Sequence, residues 1–211
     1  MKSFDLSLYL VLDPDLCADV GMVQTARAAV AGGATIVQLR DKHADTAAII
    51  ETGHALKAAL AGTGALLIVN DDVEAAIAIR ADGLHIGQED MDARRARRLI
   101  GPSMILGLSV ETETLSAAVD VDLVDYAGIG PVFGTPTKPD HKQPIGLDGL
   151  ARLVSICPVP SVAIGGLKAG HVDEVFRAGA QGLAVVSAIC GRPDPRAEAA
   201  LIAEQIRKVK G

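Results

Sequence analysis

The stretch VAIGGLKAGHVDEVFRAGAQGLAVVS, residues 162–187, opens and closes as a strand with a helix between. Val162–Ile164 and Gly182–Val186 are short aliphatic runs, whereas Ala169–Ala178 has helical periodicity. The turn Ala178-Gly179-Ala180-Gln181-Gly182 fits a helix C-cap that leads into the second strand. Two strands joined through a helix run parallel, so this unit implies a parallel sheet covered by helices.

The same unit recurs upstream about every 25 residues. Earlier strands are expected at Leu8–Leu12, Thr35–Leu39, Leu66–Val69, Gly83–Ile86, Ile105–Leu108 and Leu123–Ile129. Helices are expected near Asp19–Ala31, Thr46–Ala61, Asp72–Ile79, Asp92–Ile100, Glu113–Val119, Leu147–Val154 and, after the last strand, Arg196–Lys208. Turns of small residues, Ala31-Gly32-Gly33-Ala34 and Ala81-Asp82-Gly83, again precede strands. An open doubly wound sheet usually carries a glycine fingerprint in its first βα turn, yet Asp13-Pro14-Asp15 has none. Eight units without an internal linker predict an α/β fold, one (β/α)8 TIM barrel domain over residues 1–211.

Composition agrees. Hydrophobic residues make up 49% of the chain, but there is no Trp and there are only two Tyr and three Phe. Small branched side chains suit parallel strands and a packed barrel interior. So few aromatics argue against a base-stacking platform, and a net charge of −6 with a pI near 5.3 argues against nucleic acid as a partner. No run approaches the ~20 apolar residues that span a bilayer, so no membrane partner is expected. The Leu8–Leu12 run is ended by Asp13-Pro14 and lacks a small-residue cleavage site, so it reads as a first strand and not a signal peptide. Cys17, Cys157 and Cys190 are isolated and odd in number, which fits free thiols in a reducing cytoplasm. The outer helices are apolar enough to permit a homo-oligomer, with no residue pattern that specifies one.

In such a barrel, chemistry gathers at the C-terminal strand ends. After the second strand, period-two alternation puts Gln38, Arg40 and Lys42 on one side. Two cations and an amide suit a polyphosphate, although the same residues also fit a solvated strand end. Asn70-Asp71-Asp72 follows the third strand and Gly87-Gln88-Glu89-Asp90 the fourth. Neighbouring strands lie ~5 Å apart, which lets Asp71 and Asp90 converge on one cation. Two carboxylates plus phosphate oxygens and waters is a usual Mg²⁺ arrangement. Asp72 and Asp92 fit helix N-caps, a role that leaves Asp71 free.

Ser109 ends the fifth strand, and Gly165-Gly166 and Val186-Ser187 follow the seventh and eighth. The connection from Gly130 to Gly146 is unusually long and carries Thr135, Thr137 and Lys138. Two anion sites result: cations with carboxylates near strands two to four, and glycines with a Ser near strands seven and eight. His85 alternates with Leu84 and Ile86 and reads as a packed core histidine. His141 lies in the long loop. The run Arg94-Arg95-Ala96-Arg97-Arg98 reads as a solvated helix face.

The chain resembles the thiamine phosphate synthase family over nearly its whole length. The matching stretches are Gln38-Leu39-Arg40-Asp41-Lys42, Asn70-Asp71, residues 81–90, Gly107-Leu108-Ser109, Gly130-Pro131-Val132-Phe133 with Thr135-Pro136-Thr137-Lys138, Ala163–Gly166 and Ala184–Ser187. The resemblance implies coupling of hydroxymethylpyrimidine diphosphate to a thiazole phosphate, with release of diphosphate. By that similarity Gln38, Arg40, Lys42, Asn70, Ser109 and Lys138 contact the pyrimidine diphosphate, and Asp71 and Asp90 hold Mg²⁺. Thr135, Thr137, Gly166, Val186 and Ser187 contact the thiazole phosphate. Leu39, Asp41 and Pro136 belong to the same substrate-binding stretches. Arg40, Lys42, Ser109 and Lys138 are the expected catalytic groups, acting by charge neutralisation and positioning. Two departures from the family pattern are Asp72, where a basic residue is common, and Gly134 before Thr135. Two rival readings are a thiazole tautomerase-like relative, a family that aligns a His with Pro131 and lacks the Thr-x-Thr-Lys set, and a non-catalytic phosphate-ligand sensor on the same fold, which would not need Asp71 and Asp90 together with two anion sites.

Overall fold

A computed structural model describes residues 3–134 and 143–211. Eight parallel strands close into a barrel in chain order: β1 (Leu8–Val11), β2 (Ile36–Leu39), β3 (Leu66–Asn70), β4 (Gly83–Ile86), β5 (Ile105–Val110), β6 (Tyr126–Ile129), β7 (Ser161–Ile164) and β8 (Gly182–Val185), with β8 paired back onto β1. The helices are α1 (Met22–Ala31), α2 (Thr46–Leu60), α3 (Val73–Ile79), α4 (Ala93–Ile100), α5 (Glu113–Ala117), α6 (Gly146–Ile156), α7 (Val172–Arg177) and α8 (Pro195–Lys210). The fold expected from the periodicity is the fold observed.

Strand alternation divides the apolar residues into two cores. Leu8, Leu10, Val37, Leu39, Leu67, Val69, Leu84, Ile86, Leu106, Ala127 and Ile129 face outward and pack with the helices. Tyr9, Val11, Ile36, Ile68, Ile105, Tyr126, Val162 and Ala184 point inward and fill the barrel. Filling is uneven, because two bulky tyrosines need empty space opposite them. Gly107 supplies it: a Cβ there would lie 2.2 Å from Tyr126 Cζ and 2.5 Å from His85 Nδ1.

Several boundaries differ from the sequence expectation for local reasons. Helix α1 starts at Met22 and not Asp19, because the Asp13 carboxylate and carbonyl hold residues 13–17 in a separate turn and Gly21 breaks it at φ +83. Strand β6 starts at Tyr126 and not Leu123, because the amides of Leu123 and Val124 turn back onto the Asp120 carbonyl. The expected helix Ala169–Ala178 is a 3-10 turn, Ala169–His171, followed by α7. Asp72 and Asp92 are N-caps, accepting from the amides of Ala75 and Arg95.

Arg97 corrects the reading of a wholly solvated basic face. Its guanidinium donates to the carbonyls of Leu123, Gly101 and Met104 and pairs with Asp125 at 2.7 Å, at 13% side-chain exposure. Arg94, at 63%, does face solvent. The cysteines are free, as expected, but Cys17 and Cys190 are not isolated in space: both are buried, and each thiol lies close enough to influence the other's acidity. No helix among the described residues is long and apolar enough to cross a membrane.

Candidate active site

One pocket opens at the C-terminal ends of the strands. Arg40 and Lys42 line it just beyond β2, with Gln38 below them in the barrel wall. Asn70 and Asp71 enter from β3, Asp90 from the loop after β4 and Ser109 from β5. Gly166, Val186 and Ser187 line the opposite wall beyond β7 and β8. Residues far apart in the chain thus share one cavity because parallel strands deliver all their C-terminal ends to one face.

The carboxylate side is built by backbone geometry. Asp71 adopts φ +62, a left-handed conformation that Asp tolerates better than most residues, and its amide bonds to the His85 carbonyl at 2.8 Å. Asn70 Nδ2 donates to Asp71 Oδ2 at 2.6 Å, and the Gly87 amide donates to Asp90 Oδ2 at 2.7 Å. Burial raises the Asp71 pKa to about 7, with the neighbouring Asp90 carboxylate adding to the rise and Lys42 and Arg40 opposing it. The barrel therefore crowds two carboxylates together beside two cations.

The opposite wall is made by glycine. Gly165 and Gly166 have φ +104 and +65, and a Cβ on Gly166 would meet Phe133 Cβ at 2.8 Å. This permits Val132 and Phe133 to donate to the carbonyls of Ile164 and Gly165, which extends the β6–β7 edge past the strands. The base of the long connection is pinned there too, by Ile145 and Gly146 amides on the Pro131 and Val132 carbonyls. After β8, Ile189 and Cys190 amides both bond to the Val186 carbonyl, forming a single helical turn at Ser187. Early amides of such a turn have no partners within it and suit an anion.

A family model described as thiamine monophosphate synthase matches residues 8–189. The chain belongs to this family. Family members similar to it include the thiamine-phosphate synthase of Psychrobacter sp. (strain PRwf-1), 47% identical over 208 residues, with 97% of each chain covered. That of Xanthobacter autotrophicus is 51% identical over 194 residues, with 92% of each covered. Among solved structures, thiamine phosphate pyrophosphorylase from Pyrococcus furiosus superposes with a TM-score of 0.88 at 35% identity and 98% coverage of both chains. A 3-hexulose-6-phosphate synthase, with a TM-score of 0.66 at 19% identity, shares the barrel fold.

Ten of the family-type positions named from the sequence line the pocket: Gln38, Arg40, Lys42, Asn70, Asp71, Asp90, Ser109, Gly166, Val186 and Ser187. Leu39 and Asp41 do not. Leu39 is 1% exposed among the helix-facing residues, and Asp41 Oδ1 accepts the His43 and Ala44 amides, closing the turn into α2. Thr135, Pro136, Thr137, Lys138 and His141 lie outside the described residues. Sequence reasoning missed Tyr9, Tyr126, Asp13 and Glu111, which also line the pocket. The tyrosines had a signal: they are the only two in the chain, and both fall in strands. His85 is the packed, hydrogen-bonded residue expected, but it also lines the pocket.

Proposed function

We propose that this protein is a Mg²⁺-dependent thiamine phosphate synthase of the cytoplasm. It joins hydroxymethylpyrimidine diphosphate to hydroxyethylthiazole phosphate and releases diphosphate. The observation that carries this reading is the pairing of Asp71 with Asp90 beside Arg40 and Lys42, across one pocket from Gly166 and Ser187. The free thiols suit a reducing compartment.

The metal fits the donors. Two neighbouring carboxylates, one with its pKa raised by burial and by the other despite Lys42 and Arg40 nearby, suit a divalent cation that would offset their repulsion. Mg²⁺ takes one or two protein carboxylates and completes its shell with waters and phosphate oxygens, which two aspartates beside a diphosphate would provide. When bound, Mg²⁺ neutralises the diphosphate and lowers its cost as a leaving group.

The reaction asks for charge and alignment. The C–O bond of the pyrimidinylmethyl diphosphate breaks with its electron pair leaving on oxygen, and the ring amino group stabilises the resulting cation. The thiazole nitrogen then gives its lone pair to that carbon, forming the C–N bond. No proton moves, so no general base is required. Arg40 and Lys42 stabilise the departing diphosphate, joined by Lys138 on the family resemblance. Gly166, Val186, Ser187, Thr135 and Thr137 hold the thiazole phosphate so that its nitrogen faces the reacting carbon. Gln38, Asn70 and Ser109 orient the pyrimidine.

Incubation of the purified chain with both phosphorylated substrates and Mg²⁺ tests the proposal. Thiamine phosphate and diphosphate should form in equal amounts. Absence of product at high enzyme, or undiminished activity in an Asp71→Ala/Asp90→Ala double variant, would refute it.

A further inference from the structure

Five polar side chains are linked across the barrel interior beneath the pocket. Gln38 Nε2 donates to Tyr9 Oη at 2.8 Å, and the Tyr9 and Tyr126 hydroxyls lie 2.8 Å apart. Tyr126 Oη is 2.9 Å from His85 Nδ1, and His85 Nε2 is 3.0 Å from Ser109 Oγ. Tyr9 and Tyr126 are fully enclosed, at 1% and 0% exposure.

Counting protons gives this chain a direction. A tyrosine hydroxyl has one proton to donate. Tyr9 already accepts from Gln38, so a second bond accepted from Tyr126 would strand the Tyr9 proton without an acceptor among the described residues. Burying an unsatisfied hydroxyl proton costs about 1–3 kcal/mol. The other order uses every enclosed proton. Tyr9 donates to Tyr126, Tyr126 donates to His85 Nδ1, and the imidazole carries its proton on Nε2 and donates to Ser109 Oγ. Only the Ser109 hydroxyl proton is left, and Ser109 lines the pocket.

We propose that Tyr9, Tyr126 and His85 are positioning residues that fix Ser109 as a hydrogen-bond donor toward a heteroaromatic ring nitrogen of the substrate. The ligand class rests on the functional reading above; the direction of the chain does not. The ordered core thus sets the polarity of one contact. A pyrimidine nitrogen has a lone pair and no proton, so a serine obliged to donate matches it, while a serine spending its proton on His85 would oppose it lone pair to lone pair. The fixed point is the Gln38 amide. With that amide turned the other way, the whole chain would reverse and the His85 proton would sit on Nδ1.

The tautomer is directly observable. Long-range proton–nitrogen correlation spectra of the full chain, labelled with ¹⁵N-histidine and without substrate, should give His85 as the Nε2–H form. The signal is assigned by its absence in His85→Gln. Tyr9→Phe cuts Tyr126 off from the Gln38 amide and should let the Nδ1–H form appear beside it, and Tyr126→Phe should likewise lose the exclusive Nε2–H form. In kinetics, Tyr126→Phe should lower kcat/KM for hydroxymethylpyrimidine diphosphate about tenfold, the worth of one oriented hydrogen bond. On a Ser109→Ala background the same change should cost less than about twofold, since the two act as a unit. An Nδ1–H histidine in the unsubstituted protein, or equal Tyr126→Phe losses on both backgrounds, would overturn the proposal. Failure of the functional reading would appear separately, as absent product with the unsubstituted enzyme, and the spectrum needs no substrate.

Discussion

Asn70 donates its amide to the carboxylate of Asp71 across 2.6 Å, while the Asp71 backbone sits in the left-handed region at φ +62. The bond and the backbone together turn the Asp71 carboxyl toward the cations and toward Asp90, against the ordinary preference of a buried acid. That arrangement costs stability in the metal-free protein, as a carboxylate pair reserved for the proposed metal would. Asp71→Asn should therefore stabilise the metal-free protein while abolishing activity. Asn tolerates the same backbone conformation and still offers an oxygen to Asn70. After allowance for solvent screening the gain is on the order of 1 kcal/mol, or about 2–4 °C in Tm for a chain of this size. Calorimetry of both proteins without metal is the check, and a lower Tm for the variant would contradict it.

The same group sets a pH dependence. Its folded pKa, about 7, lies above the ordinary aspartate value of 3.8. Between those values the folded state keeps a proton that the unfolded state has released, so stability falls as pH rises through the window. Below the window the contribution vanishes, and above it the full penalty applies. Metal-free Tm should thus carry a downward Asp71 contribution with rising pH that disappears in Asp71→Asn. Mg²⁺ held by Asp71 and Asp90, as proposed, would bind the deprotonated form, so the thermal shift it produces should be larger at pH 8 than at pH 6. An equal Mg²⁺ shift at both values would argue against this pair as the metal site.

The barrel was legible from the sequence because each strand and helix declares itself locally. Val162–Ile164 and Gly182–Val186 are aliphatic runs with a helical stretch between, and eight such units leave few alternatives. Pocket residues at strand ends were legible for the same reason: Arg40, Asp71 and Ser109 sit where polar residues interrupt apolar strands. Leu39 and Asp41 entered with them through the family motif alone, and membership of a motif does not tell which way a side chain turns. Strand alternation does, and it sends Leu39 outward. Tyr9 and Tyr126 were hidden by the reverse effect, since an aromatic in a strand looks like core until its hydroxyl meets a partner from another strand. Arg97 was hidden likewise, its acceptors being carbonyls whose positions only the closed fold defines.

Gly107 is expected to be intolerant of even a methyl group. The added carbon would overlap Tyr126 and His85, which are held by hydrogen bonds and enclosed by the barrel. Gly107→Ala should cost about 1–3 kcal/mol through overpacking and should lower kcat by displacing His85 from Ser109. Urea unfolding and steady-state kinetics would register both. Unchanged kcat with reduced stability would detach the interior network from catalysis.

Arg97 and Arg94 lie one helical turn apart on α4 and should behave differently. Arg97→Ala removes bonds to three carbonyls and the 2.7 Å pair with the largely buried Asp125 carboxylate, a loss of about 3 kcal/mol. Arg94→Ala removes an exposed pair with Asp120 and should change stability by less than about 1 kcal/mol. Neither side chain lines the pocket, so the activity per folded molecule should stay constant in both. Denaturant midpoints combined with active-fraction assays decide it.

Beyond β2, neighbouring residues divide the work between substrate and scaffold. Lys42 lines the pocket, whereas the adjacent Asp41 carboxylate is spent on the amides of His43 and Ala44. Lys42→Ala should lower kcat/KM about 10²-fold or more, as expected for loss of a charge aimed at the departing diphosphate, with little change in stability. Asp41→Ala should cost about 1 kcal/mol of stability through the loosened turn and leave kcat/KM within a few-fold. The two substitutions should also separate in salt. Only the Lys42 loss removes a charge that the anionic substrate feels, so the ionic-strength dependence of kcat/KM should weaken in Lys42→Ala and persist in Asp41→Ala. Parallel kinetic losses in the two variants would mean that the turn, and not the lysine charge, governs this side of the pocket.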